Sequence, residues 1–149
     1  MRFWDWALSV YARQPVAAAC LHLQDAHGQN VPFLLWAAWA SLEGRPVDLP
    51  RAAALVRAWD AEVGAPLRGV RRALKPTRRD VDDTARDAFR EQIKAAELAG
   101  EKVLMESLEA TCGPVDATRD VYGALLAAAR ATGDPPREAA LARLADALA

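Results

Sequence analysis

His22, Asp25 and His27 come closest to a catalytic pattern in this chain. On a helix His22 and Asp25 share a face and can hydrogen-bond, the arrangement of a general base and the carboxylate that orients it. His27 stands five positions after His22. That is about 140° further around a helix, so the two imidazoles are expected to diverge. Cys20 points elsewhere again, and a nucleophile such as Cys112 must arrive from the far half of the chain. No zinc-ligand spacing accompanies the histidines. The simpler use of Gln24, Asp25 and His27 is to tie a tight turn to neighbouring backbone.

A second chemistry lies in Arg68, Arg71, Arg72, Lys75, Arg78 and Arg79, six cations in twelve residues with no acid among them. On a helix the first four project from one side. Guanidinium groups grip oxyanions in pairs, so such a side suits an anionic ligand or an acidic partner segment. Residues 80–120 hold eleven acids and five bases, which offers an internal match for the same charges. Asp80, Asp83, Asp87 and Glu91 line one side of the next helix, where Arg86, Arg90 and Lys94 can pair with them. No ExxH accompanies these acids, as a carboxylate di-metal site would want. No catalytic residue, metal ligand or cofactor site is assigned.

The elements that must position these groups are helices. The chain has 149 residues and 52% hydrophobic content, enough for one domain with a real core. β-branched residues are scarce, and no stretch alternates with period two. Val31 to Leu42 is apolar at nearly every position, the mark of a helix buried on all sides. The fold expected is all-α: a single-domain bundle of six to eight helices around a central helix at about 31–43. Residues 1–75 carry all five tryptophans, and residues 76–149 add a long charged helix and two more.

Punctuation places the other helices. Phe3 to Ala12 is one, with Phe3, Trp4, Ala7, Leu8 and Tyr11 inward and Trp6 with Val10 on a second face. Pro15 to His27 is the next, closed by Gly28, and Asn30 caps the central helix. Asp48 caps a helix that Gly64-Ala65-Pro66 kinks or breaks. A short helix through Leu67, Val70 and Leu74 follows. Thr77 and Asp80 form a capping-box-like start to a helix reaching about Thr111, with Ala85, Phe89, Ile93, Ala96, Leu104 and Leu108 as its stripe and a bend near Gly100. Asp116 caps a further helix closed by Thr132-Gly133, and Asp134-Pro135 opens the last.

Three segments, FWDWALSVYAR at 3–13, ACLHLQDAHGQNVPFLLWAAW at 19–39 and APLRGVRRALK at 65–75, together resemble a family of small proteobacterial proteins grouped as a domain of unknown function. The resemblance implies a helical, cytosolic, bacterial protein. It transfers no activity and no site residue.

Several function classes recede. The formal net charge of −1 gives no general attraction to nucleic acid. The helix after the tight turn, VPFLLWAAWASL, has no Arg, Lys, Asn or Gln to read base edges, so sequence-specific DNA binding is not expected. Two cysteines without a CxxC suit a reducing cytosol, and no apolar run reaches membrane-spanning length. The leading expectation is a non-enzymatic cytoplasmic binding protein. It would present the 68–79 surface, or an apolar patch around Trp6, to an acidic or helical partner or an anionic ligand. A pocket lined by tryptophans and edged by His22 and Asp25 is the alternative, and a homodimer through residues 80–111 is the third.

Overall fold

Nine of the twelve residues of Val31–Leu42 are buried, and everything else is arranged to bury them. The structure is a computed structural model and describes residues 1–115, 119–132 and 138–149. Among these residues there are eight α-helices, one π-helical turn and no strand. The Asp116 cap and the Gly133, Asp134 and Pro135 boundary signals lie outside the described residues.

The first helix, α1, spans Phe3–Tyr11 and buries Phe3, Ala7 and Val10. Leu8 is 51% exposed and Tyr11 is exposed too, so the inward face is turned away from the one expected. Phe3 decides the rotation, because its ring packs at 5.4 Å from the buried Trp39 and carries Ala7 and Val10 inward with it. Trp4 and Trp6 flank that contact half-buried. Helix α2, Gln14–His27, buries Val16, Cys20 and Leu23. Gly28 ends it in the left-handed conformation at φ 61°, and its amide donates to the Gln24 carbonyl. Glycine is the residue that reaches this backbone without strain.

Helix α3 is Val31–Leu42, capped by the Asn30 side chain, which accepts from the Phe33 amide. Trp36 is fully buried and Trp39 nearly so. Their indole N–H groups donate to Cys112 Sγ and to the Met1 carbonyl, each at 3.2 Å. Buried donors need such partners, since an unmet one costs about 1–3 kcal/mol.

Helix α4, Leu49–Trp59, is capped by Asp48 and buries Ala52, Ala53 and Val56. Of the kink or break expected at Gly64-Ala65-Pro66, the break does not occur. The chain instead makes a π-turn at Asp60–Gly64 and continues as α5, Ala65–Ala73. Proline lacks an N–H and its ring collides with the carbonyl four residues back. A widened turn just before Pro66 accommodates both defects without ending the rod.

The long helix α6 runs Asp83–Glu109 and is continuous through Gly100. It starts later than the Thr77–Asp80 signal, because Asp80 turns to φ 64° and Asp82 supplies the cap to the Ala85 amide. Its inward residues also differ from the expected stripe. Ala85, Phe89 and Ala96 are exposed, whereas Arg86, Leu104, Met105 and Leu108 are buried. Arg86 takes an inward place because Asp83 and Asp87 accompany its guanidinium at 2.6 and 3.0 Å. Helix α7, Val121–Ala131, is capped by Asp120, and α8 is Glu138–Leu148.

Helix α3 packs most extensively on α7, then on α6, with smaller contacts to α1 and α2. Helix α8 packs on α2 and α7. Leu125, Ala128 and Ala129 of α7 and Leu141, Leu144 and Leu148 of α8 join the core, so the tryptophan-free half encloses the central helix too. No helix among the described residues is long and apolar enough to cross a membrane.

Trp36→Ala should cost about 3–5 kcal/mol of unfolding free energy, the range for emptying a buried aromatic site. Trp6→Ala, at a half-buried position, should cost clearly less. Equilibrium urea denaturation checks both, and equal losses would contradict this packing.

Candidate functional site

A cleft of about 540 Å³ opens where the α2–α3 corner faces the π-turn, α5 and α6. That volume lies within the range of small-molecule sites. The corner contributes Gln24, Asp25 and the Gly28-Gln29-Asn30 turn. Trp59, Val63, Leu67 and Leu104 supply apolar surface. Arg68, Arg71 and Arg72 face Asp60, Glu97 and Glu101 within the same concavity.

Two local features create this space. The π-turn sets the register of the rod so that Asp60 and Arg68, eight positions apart, form an ion pair at 2.7 Å. Gly64 leaves room for that pair, because a Cβ there would sit 3.0 Å from Asp60 Oδ1 and 3.2 Å from Arg68 Nη1. On the opposite wall Gly100 of α6 faces the rod, and a Cβ there would lie in ordinary contact, 3.9 Å from Val63 and 4.0 Å from Trp59. A larger side chain at position 100 would occupy the cleft.

The basic run is divided rather than displayed as one surface. Arg71 donates to Glu97 at 2.6 Å, and both side chains are largely buried. The Arg71 carbonyl in turn accepts from Arg90 Nε at 3.3 Å, which fixes α5 on α6. Arg78 donates to the Ala73 carbonyl at the end of α5. Among the described residues, Arg72, Lys75 and Arg79 have no ion-pair or hydrogen-bond partner for their side chains. Arg72 is the one of these three that reaches the cleft. On α6, Asp83 and Asp87 pair with Arg86, and Lys94 pairs with Glu91. Asp80 precedes the helix, so the acidic side begins at Asp83.

His22 and Asp25 are not brought together. Asp25 lines the cleft, while His22 lines a second, more open concavity of about 710 Å³ with Ala140, Arg143 and Asp146 between α2 and α8. The expected divergence of the imidazoles is also corrected, since the rings of His22 and His27 meet edge to face at 5.2 Å. Among the described residues no three metal-ligating side chains converge. Trp6 stands by Phe3, away from the cleft, and the tryptophan that lines it is Trp59.

The cysteines are poor nucleophiles as they stand. Burial pushes the Cys20 thiol up to about 12. Burial also raises Cys112, with the Trp36 indole and Arg45 pulling the other way. Thiolate is the reactive form, so both react slowly. Iodoacetamide at pH 8 should label half-buried Cys112 before fully buried Cys20, and both more slowly than in urea. Mass spectrometry of tryptic peptides checks the order.

Desolvation, followed by the charge of Glu97, pushes the Glu101 carboxyl above its ordinary value, against the pull of Arg68. The folded chain therefore holds this proton more tightly than the unfolded chain does. Its charge opposes folding at neutral pH, and that penalty fades as pH falls toward the unfolded value of 4.5. Glu101→Gln should raise the thermal midpoint at pH 7, and the gain should vanish below about pH 4. Thermal denaturation across pH checks the sign.

Trp59, one of the tryptophans expected to line a pocket, does line the cleft, whereas its Asp60, Glu97 and Glu101 are not singled out by the sequence. The available signal was the Glu97, Glu101 pair one helical turn apart, flanking Gly100. Comparison with curated proteins and with solved structures finds no match. A family match does exist, and it extends past the three resembling segments to cover α1 through α5 and nearly all of α6. Residues 2–108 match the family described as Protein of unknown function (DUF2390), and the chain belongs to it.

Proposed function

We propose that this chain is a non-enzymatic binding protein of the bacterial cytoplasm, whose cleft between the π-turn and α6 takes a small ligand with an anionic group. The observation that carries this reading is the π-turn itself. A π-turn costs regular helix geometry and frequently accompanies a functional site. Here it opens a charged concavity beside an arginine without a partner among the described residues. The arginine face expected from the sequence thus acts through Arg72, with Arg68 and Arg71 held in place by carboxylates.

Ligands that bind only the folded chain raise its stability by RT ln(1 + [L]/Kd), about 2.7 kcal/mol at a hundredfold excess over Kd. A thermal-shift panel of small anions, nucleotides, carboxylates and peptides should contain a compound that stabilises the wild type and fails with Arg72→Glu. Arg72 is exposed, so its reversal should leave the unliganded midpoint within about 1 °C, a shift corresponding to well under 0.5 kcal/mol. A panel in which every active compound ignores Arg72→Glu would contradict the proposal.

A second reading rests on a separate feature of α6. Ala85, Phe89, Ala96, Ala99 and Val103 are all exposed and fall on one side of that helix. Phe89 is 48% exposed. Such a stripe favours homodimerisation through the long helix. Light scattering at high protein concentration should then show a dimer that Phe89→Glu dissociates, and a monomeric wild type would remove this reading.

A further inference from the structure

We propose that α6 pairs antiparallel with α6 of a second copy of this chain, about a two-fold axis level with Lys94, each Phe89 seated on Ala99 of the other copy. This deepens the dimer reading of α6 given above and rests on it. Ala85, Phe89, Gln92, Ala96, Ala99, Val103 and Glu106 are all exposed, and they follow one another at alternating steps of four and three. The alternation runs from 85 to 106, which is three heptads. A strict stripe of this kind is the narrow seam of a coiled coil, whereas the face a helix buries on its own body is broader. Helix α6 docks on its own body through other residues, Arg86, Leu104, Met105 and Leu108. The two large apolar side chains of the seam, Phe89 and Val103, are left 48% and 47% exposed.

The sizes along the seam point to a second copy as the occupant, because the stripe supplies both the large side chains and the gaps for them. In a two-fold interface residue i meets j and j meets i. With the axis at position 94, Phe89 faces Ala99, Val103 faces Ala85 and Gln92 faces Ala96, and each pair occurs twice. A larger side chain thus meets alanine in every layer, the alternation that lets facing helices interdigitate. The paired stretch, 85–103, is about 27 Å long at helical rise.

Other pairings of the same stripe fit less well. A parallel pair sets Phe89 on Phe89 and Glu106 on Glu106, while Ala85, Ala96 and Ala99 meet only their own copies. Sliding the antiparallel pair by a heptad, to an axis between 97 and 98, sets Phe89 against the carboxylate of Glu106. With the axis at 94, Glu106 instead reaches the opening of the partner helix. That end carries the positive pole of the helix dipole and the exposed Arg79. Its acids Asp82 and Asp83 are already engaged, by the Ala85 amide and by Arg86.

Disulfide trapping of the full chain tests both orientation and register. Ala85→Cys and Val103→Cys are made separately in a Cys112→Ser background, where serine keeps an acceptor for the Trp36 indole. Under mild oxidation the mixture of the two variants should form a covalent dimer, since a disulfide needs Cα atoms within about 7 Å. Each variant alone should form none, because like positions then lie at opposite ends of the seam. Phe89→Glu added to both chains should abolish the cross-link. Covalent dimers from either variant alone would overturn the antiparallel pairing. So would a mixture that gives none, or a cross-link that survives Phe89→Glu. If light scattering still finds a wild-type dimer in any of these cases, the dimer reading stands and this geometry falls. A monomeric wild type removes both.

Discussion

The structure depends on satisfying two indole N–H groups inside an apolar helix. Trp36 and Trp39 contribute large buried surfaces to the core, each worth several kcal/mol, but each also carries one polar atom that cannot stay unpaired there. Helix α3 is apolar around nearly its whole circumference and offers no polar side chain to meet them. The partners come from elsewhere: the Met1 carbonyl ahead of α1 and the Cys112 sulfur just after α6. Those two attachments bring distant parts of the chain to one place. Glu109 reinforces them, accepting from the Phe3 amide and pairing with Arg2 at 2.8 Å. Beside them, Gly113 donates to the Pro46 carbonyl, an approach that any Cβ at position 113 would block.

Once α3 is enclosed, the rod of α4, the π-turn and α5 has one place to lie, along α6. The pairs Arg71–Glu97 and Arg90–Arg71 carbonyl fix its far end. The near end is held by Trp59 and Val63 against Gly100. Between these fastenings the α2–α3 corner closes the third side. The cleft is thus a product of the same packing that buries the tryptophans, and its charged lining reflects which arginines the packing has neutralised and which it has left free.

Much of this was legible in the sequence because it is local. The all-apolar run of α3, the left-handed Gly28 and the Asn30 and Asp48 caps each follow from residues within a few positions of one another. The start of α6 differs from the expected one because Thr77-Asp80 and Asp82-Ala85 offer competing signals, and it is Asp82, on extended backbone, that caps the Ala85 amide while Asp80 turns to φ 64°. The π-turn was illegible because Pro66 can end a helix or widen it, and the difference is decided by packing on α6. The basic run announced that charge would matter near residues 68–79. Which of its members stay free depends on Glu97, twenty-six positions away from Arg71. His22 and Asp25 likewise face different concavities, His22 the one beside α8 and Asp25 the cleft, which their spacing alone does not reveal.

The enclosure of α3 is most directly measured by hydrogen exchange at the indole nitrogens, followed by NMR on the protein labelled with nitrogen-15. Trp36 and Trp39 should exchange only with global unfolding, while the half-buried Trp4, Trp6 and Trp59 exchange orders of magnitude faster. Exchange at Trp36 and Trp39 as rapid as at the other three would mean that their N–H groups face water, and the arrangement described above would be wrong.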